Sequence, residues 1–239
     1  MTLRFKWYKL SLPISLPSLV AALLASPLTS ESECGFRARS SDEPGVRVRF
    51  AWRSTVSAIA FDDDGNPMTQ AVSTVSFVDL KFFTRGNATF LRVDNPGKSV
   101  RMLMNELGRV AGYGFSIQPI LFSDAEPPPF FSEFDQIRLV GLKLINVVFD
   151  RHVVGRVELA SKEGIDLQSV WDTTGKAYVV DTAVYEVMAQ MIRGQLSFSK
   201  SGLVKVTDRL APQFLHLFEN AIEEMTDRSQ KAGHDGSDA

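Results

Sequence analysis

Alternation of apolar and polar side chains is the pattern that most limits how this chain can fold. In the segment 46–53, apolar side chains occupy the even positions and arginines occupy positions 47, 49 and 53. A period of two places successive side chains on opposite faces of an extended strand. Several segments of this kind are separated by short turns rather than by helices, so the sequence predicts antiparallel sheets.

Turn-forming residues separate these strand-like segments. The segments 40–45 and 62–67 are rich in Asp, Ser, Asn, Pro and Gly, which favour chain reversal. The first turn is expected to join strand 35–39 to strand 46–53, and the second to join the strand ending at Phe61 to one over 69–83. Further strands are predicted over 89–93, 115–122, 137–149, 153–160, 177–189, 194–198 and 203–206.

Apolar stripes with helical spacing predict three helices. The first stripe is Leu16, Leu19, Val20, Leu23 and Leu24; the second is Val100, Leu103, Met104, Leu107 and Ala111; the third is Leu210, Phe214, Leu217, Phe218, Ala221 and Met225. The expected fold class is therefore α+β. It would consist of mostly antiparallel twisted sheets with a few packing helices, and its final amphipathic helix would lie on a C-terminal sheet.

The first 25 residues also imitate a secretory signal, because basic residues precede a mostly apolar stretch. Pro13 and Pro17 interrupt that stretch, and its leucines recur with the spacing of an amphipathic helix. We therefore favour a strand followed by a helix with Ser15 as its cap, and a cytoplasmic protein. No apolar run is long enough to span a bilayer, so we expect no membrane partner.

A proline-rich segment is the best candidate for a domain boundary. Residues 127–129 are three consecutive prolines, which cannot join a helix or a central strand. The sequence predicts an N-terminal α+β domain over 1–123 with an arginine-rich hairpin, a linker over 124–130, and a C-terminal antiparallel sheet with a long helix over 131–227. Residues 228–239 lack apolar periodicity and are expected to form a disordered tail.

Charge is unevenly divided along the chain. The net charge is −2, which argues against a general nucleic-acid coat. Residues 1–111 carry 14 Lys/Arg against 10 Asp/Glu, whereas residues 112–239 carry 12 against 18. Contact with an anionic partner is therefore expected in the first half. The single cysteine, Cys34, excludes an intrachain disulfide and is typical of a reducing compartment.

Two loops resemble ion-binding motifs without completing them. Gly97-Lys98-Ser99 precedes a helix as a phosphate loop would, but the glycine required five positions earlier is replaced by Arg92. The acidic run Asp62-Asp63-Asp64 resembles the start of a calcium-binding loop between two helices. Counted from Asp62, its glycine is at position four, whereas such a loop has glycine at position six, and the run joins strands rather than helices. A helix entry and a solvated hairpin turn are the better interpretations.

An enzymatic alternative rests on Asp150, Glu158 and Lys162, which could form a metal-dependent nuclease core. Glu158 and Lys162 are four residues apart, whereas such a core places them two apart on one strand. The three histidines, His152, His216 and His234, lack zinc-like spacing. The sequence therefore predicts no catalytic residue, no metal site and no cofactor.

The arginine-rich hairpin is the candidate binding site. If strands 35–39 and 46–53 pair, their arginines project from one face: Arg37, Arg39, Arg47, Arg49 and Arg53. Arginine forks suit phosphates and carboxylates. The structural alternative is a solvated sheet face on which acids of neighbouring strands pair with the arginines. Phe36 and Trp52 belong to the opposite face, which argues against stacking of single-stranded bases beside the arginines.

Three functions are consistent with these features. The leading hypothesis is a non-enzymatic binding or assembly module that docks an anionic partner, an acidic protein or a nucleic acid, on the arginines. The second is a metal-dependent enzyme acting on nucleic acid or nucleotides. The third is a structural subunit of a multiprotein complex, whose strand edges pair with another chain.

Overall fold

The computed structural model describes residues 1–40, 43–97, 100–122, 128–150, 153–174 and 178–234, with only the backbone for 150, 171–174 and 227–234. Within these residues, eleven strands form one sheet in the order β2-β3-β4-β5-β1-β11-β10-β9-β7-β8, with β6 also paired to β1. Every strand pairing is antiparallel. The fold is α+β, as the sequence predicts.

The strands are β1 Thr2–Ser11, β2 Cys34–Arg39, β3 Val46–Phe61, β4 Pro67–Arg85, β5 Ala88–Asp94, β6 Ser116–Pro119, β7 Gln136–Asp150, β8 Val153–Ala160, β9 Val179–Ala189, β10 Ile192–Ser199 and β11 Leu203–Thr207. The helices are α1 Leu16–Leu24, α2 Val100–Ala111, α3 Leu167–Thr174 and α4 Ala211–His234. Short 3-10 turns lie at Pro129–Glu133 and Asp208–Leu210.

Strand β1 connects the two halves of the sheet. It pairs with β5 on one side and with β11 on the other, so that Phe5 lies opposite both Asp94 and Val204. The strand and the helix predicted for this region are confirmed. The Ser15 side chain accepts a hydrogen bond from the backbone N–H of Ser18, which satisfies one free amide of the first turn of α1.

The alternating side chains of β1 belong to two different cores. Phe5 and Trp7 lie in the core covered by α4, whereas Tyr8 and Leu10 lie in the core covered by α1 and α2. Among the described residues, the second core is built from the first half of the chain. The first core takes residues from both halves. A single strand therefore supplies side chains to both layers of helices.

Helix α4 covers one face of the sheet with aromatic residues. Phe214 and Phe218 are fully buried, and the ring centroids of Phe218 and Trp7 lie 4.2 Å apart. The helix was predicted from its apolar stripe, although Leu210 lies in the preceding 3-10 turn. Its helical backbone continues to His234, into the segment predicted as a disordered tail.

Strands β3 and β4 form the longest hairpin. Beyond Trp52 on β3 and before Val78 on β4, these strands pair only with each other among the described residues. We call residues 53–77 the β3–β4 arm. At its tip the Asp62 carboxylate accepts backbone hydrogen bonds from Asp64 and Asn66, and Gly65 adopts a φ of +82°, which favours glycine. This is the predicted hairpin turn.

Some predictions differ from the structure in the second half. Helix α3 was not predicted, because its eight residues contain one buried side chain, Val170, in their described part rather than a repeated stripe. Strand β6 is shorter than the predicted 115–122. In the predicted linker, residues 124–127 lie outside the described residues, while Phe130 is buried in the core beneath α4. The division into domains 1–123 and 131–227 remains a prediction.

Replacing Trp7 by alanine should lower the free energy of unfolding by about 3–5 kcal/mol, because the fully buried indole contacts α4 from the strand that links both halves. The control Tyr113→Ala removes a fully exposed aromatic ring and should change stability by less than about 0.5 kcal/mol. Urea unfolding followed by circular dichroism measures both. Equal stability of the two variants would contradict the central position of β1.

Candidate docking surface

The strand register places the predicted arginines on one side of the sheet. Arg37 of β2 lies opposite Arg49 of β3, and Arg39 lies opposite Arg47. Directly opposed residues of an antiparallel pair share a face, and so do residues two apart on one strand. Arg53 therefore shares this face as well. We call this surface the arginine face.

The pairing continues these arginines into rows that cross four strands. One row contains four cations side by side: Arg39, Arg47, Lys81 and Arg92. The neighbouring row is mixed: Arg37, Arg49, Asp79 and Asp94. Four adjacent cations repel one another, so the first row requires negative charge from elsewhere in the fold.

Acids from three different elements neutralise three of the four cations in this row, Arg47, Lys81 and Arg92. Glu219 of α4 lies 2.7 Å from Lys81 Nζ and 2.6 Å from Arg92 Nη1. Glu43, in the loop before β3, lies 2.6 Å from Arg47, 3.0 Å from Lys81 and 3.1 Å from Arg92. Asp94 lies 2.7 Å from both Arg47 and Arg92. We call these residues the charge cluster: Glu43, Arg47, Lys81, Arg92, Asp94 and Glu219.

The pKa values of the cluster follow from these contacts. Burial by itself would raise the pKa of Glu43, but the charge of Arg92 and the hydrogen bond from Lys81 outweigh it and lower the pKa to about 2. Burial by itself would lower the pKa of Arg92, but the carboxylates of Asp94 and Glu219 raise it instead. Glu43 and Arg92 are therefore both charged at neutral pH.

A cleft of about 720 Å³ lies where α4 crosses the edge of the charge cluster. Its cations already have partners within the protein. Arg85, for example, donates to the backbone carbonyl of Glu219 and to the side-chain oxygen of Asn220. The cleft therefore marks an internal ionic contact between helix and sheet rather than an open site for an anion.

The arginine face divides into a structural part and an exposed part. Arg47 belongs to the charge cluster, and Arg49 forms a two-pronged ion pair with Asp79 at 2.7 and 2.8 Å. Arg39 is exposed and approaches Asp79 only to 3.8 Å. Arg53 is exposed and donates to the backbone carbonyl of Thr29. Arg37 is exposed and has no partner in the described part of the chain.

Sequence reasoning missed an aromatic residue on this face. Phe77 lies opposite Ala51, and the guanidinium carbon of Arg49 lies 3.8 Å from the centre of its ring. Phe77 nevertheless remains 56% exposed, and Val75, opposite Arg53, is 53% exposed. The sequence shows both residues in a strand, but only the register places them beside the arginines.

The remaining candidates whose side chains are described do not assemble into a site. Glu158 and Lys162 are both exposed. The side chain of Asp150, and residues Lys98, Ser99 and His152, lie outside the described residues. His216 forms a hydrogen bond with Asn220, and burial raises the pKa of the Cys34 thiol. Among the described residues no group of three His, Cys, Asp or Glu side chains is arranged to hold a metal.

The change Glu219→Gln should destabilise the protein by about 3–5 kcal/mol, because it leaves the buried charges of Lys81 and Arg92 without their closest carboxylate. Glu223→Gln makes the same chemical change one turn later on α4, at an exposed residue, and should cost less than about 0.5 kcal/mol. Urea midpoints of the two variants give the comparison. Similar losses would mean that the cluster does not anchor α4.

The change Glu43→Gln removes a carboxylate of the charge cluster and should lower the free energy of unfolding at pH 7. The loss should be only about 1–2 kcal/mol, because water screens a carboxylate whose side chain is 40% exposed. The pKa of Glu43 is lower in the folded protein than in the unfolded chain. The carboxylate therefore stabilises the fold fully at a pH above its pKa in the unfolded chain, and this stabilisation disappears as the pH falls through its pKa in the folded protein. The difference from wild type should therefore shrink between roughly pH 4.5 and pH 2. Thermal unfolding across this range measures it, and a constant difference would refute the assignment.

Comparison with known proteins does not assign the chain to a family. No known protein family has a model that matches it, and no curated protein is significantly similar to it. In the described part of the chain, none of the helices combines the length and the apolar character needed to cross a membrane. The geometry of the arginine face is therefore the basis for a functional proposal.

Proposed function

We propose that this chain is a non-enzymatic binding module that docks an acidic protein on the exposed part of the arginine face. One observation carries the proposal. Arg37, Arg39 and Arg53 are exposed on the same side as Val75 and Phe77, two exposed apolar residues. We call this patch the arm base: Arg37, Arg39, Arg53, Val75 and Phe77.

The charge of the arm base supports an anionic partner. Asp79 is the one carboxylate among the described residues that forms an ion pair with Arg39 or Arg49, and it is held by Arg49. Arg37 and Arg53 form no ion pair there. The arginines of the arm base thus carry positive charge that no nearby carboxylate among the described residues fully balances, whereas the charges of the adjacent charge cluster are paired with one another. Exposed guanidinium groups can each take a carboxylate with two parallel hydrogen bonds.

The apolar part of the arm base favours a protein over a nucleic acid. Arginine and aromatic residues are enriched in protein interfaces, where an apolar centre is surrounded by a polar rim. Phe77 has one ring face covered by the guanidinium of Arg49, which leaves it poorly suited to stack on a base. An acidic segment with apolar side chains would match both parts of the patch.

Fluorescence polarisation with defined probes tests this proposal. The probes are a Glu/Asp-rich peptide that carries leucine and phenylalanine, the same peptide with amides in place of the acids, and a DNA duplex. We expect the protein to bind the acidic peptide, to bind it less tightly as salt rises from roughly 50 to 300 mM, and to lose at least about tenfold in affinity in the variant Arg37→Glu/Arg53→Glu.

The control variant is Arg101→Glu/Arg156→Glu, which makes the same change of charge at two exposed arginines of α2 and β8. It should bind like wild type. These variants avoid Arg47 and Arg49, whose loss would disturb ion pairs inside the fold. Equal binding by both double variants, or tighter binding to the DNA duplex than to the acidic peptide, would overturn the proposal.

A reducing, cytoplasmic setting forms part of the proposal and is supported by the single cysteine. Of the two alternatives, a metal-dependent enzyme acting on nucleic acid or nucleotides gains no support from Glu158 and Lys162, which are exposed and separated on and after β8. A structural subunit is favoured by one observation, the exposed apolar residues of the β3–β4 arm.

A further inference from the structure

The β3–β4 arm carries apolar residues at both of its ends on the same face as the arginines. Near the tip, Ile59 is 72% exposed and Phe61 is 68% exposed. Near the base, Val75 and Phe77 are also exposed. All four side chains lie on this face, because odd positions of β3 pair with odd positions of β4. Exposed apolar residues grouped in this way indicate a contact surface.

The two ends of the arm carry opposite charges. The tip contains Asp63 and Asp64, both exposed and without an ion pair among the described residues. The base contains Arg37, Arg39 and Arg53. Each end therefore joins an apolar pair to a charged group, and the charges are complementary in sign. We call the tip group the arm tip: Ile59, Phe61, Asp63 and Asp64.

The middle of the same face is made of small side chains. Between the two ends lie Thr55, Ser57, Ala71 and Ser73, all of them exposed. Small residues allow another backbone to approach closely without a steric clash. The middle of the arm would therefore not keep a second arm at a distance while the two ends are in contact.

We propose that the acidic partner of the arm base is a second copy of this chain, an inference that rests on the proposed function. Two arms would lie antiparallel across a two-fold axis, so that the tip of each contacts the base of the other. A two-fold interface uses the same surface on both subunits and requires that surface to be complementary to itself. The arm meets this requirement in both charge and apolar character.

The length of the arm separates the two sets of contacts. Arg53 and Asp62 are nine positions apart, which corresponds to about 30 Å at the rise of an extended strand. This distance is greater than the roughly 8 Å over which physiological salt screens charge. Each tip therefore interacts with one base only, and the dimer contains two equivalent and independent charged contacts.

A charge-exchange experiment tests this arrangement by sedimentation velocity on the full chain. The base variant is Arg37→Glu/Arg53→Glu and the tip variant is Asp63→Lys/Asp64→Lys. Asp62 is left unchanged because its carboxylate forms the turn. The wild-type protein should form dimers that are detectable at or below roughly 100 µM. Each variant alone should dimerise at least about tenfold more weakly, because like charges then face each other.

Mixing the two variants provides the decisive measurement. In a mixed dimer, the glutamates of the base variant face the lysines of the tip variant, and the second contact keeps its native charges. An equimolar mixture should therefore recover association close to that of wild type. Circular dichroism spectra and melting temperatures of the variants check that they are folded, and the milder change Asp63→Asn/Asp64→Asn should weaken the dimer by a smaller factor than charge reversal.

The outcomes separate this inference from the proposed function. A wild-type protein that remains monomeric at about 100 µM, or a mixture that does not recover association, overturns the arm-to-arm dimer. If that same protein still binds the acidic peptide through Arg37 and Arg53, the proposed docking function stands with a different partner. If the dimer forms as described, the acidic peptide should dissociate it, because both compete for the same arginines.

Discussion

The fold depends on how three members of a row of four cations across the sheet, Arg47, Lys81 and Arg92, are neutralised. Arg39, Arg47, Lys81 and Arg92 lie side by side on β2 to β5. Lys81 and Arg92, which are nearest to the centre of the sheet, are almost completely buried. A buried charge without a partner costs several kcal/mol, so this row excludes any packing that fails to bring carboxylates to it. Glu219 links α4 to the row, and Glu43 links the loop before β3 to it. The charge cluster therefore specifies where helix and loop lie on the sheet, in addition to any stability it contributes.

The same row explains why the arginine face has two roles. Toward the centre of the sheet its cations are covered by α4 and engaged by acids, and they hold the fold together. Toward the edge, on β2 and at the base of the β3–β4 arm, none of the described helices covers the arginines, and they are exposed beside Val75 and Phe77. One alternating sequence pattern thus produces both an internal ionic contact and the arm base. A close carboxylate partner within the fold distinguishes Arg47 and Arg49 from the exposed arginines of the arm base.

Much of this fold follows from the sequence, because periodicity is a local property. The strands, the turn at Asp62 and the Ser15 cap were predicted, since each depends on neighbours within a few residues. The charge cluster was not predicted, because Glu219 lies 127 residues from Arg92 and no local pattern indicates their contact. Phe77 was missed for a related reason: its place beside Arg49 follows from the register of a long hairpin. Helix α3 gave little periodic signal because its described part buries one side chain, Val170.

The central place of β1 has a consequence for how the chain acquires its structure. Thr2 pairs with Thr207, so one edge of β1 has no partner at residues 2–6 until β11 has been synthesised, although β6 pairs earlier with residues 8–11 of the same edge. The aromatic face of β1 also has no cover until Phe214 and Phe218 of α4 have followed. The opposite face can pack earlier, against α1 and α2, because the buried residues of its core, in the part of the chain that the structure describes, all lie before position 112. Contacts between residues far apart in sequence slow folding, and an unpaired edge beside exposed aromatic rings favours aggregation while it lasts. The aromatic face of β1 and its edge at residues 2–6 therefore stay exposed until the last elements of the chain have been synthesised.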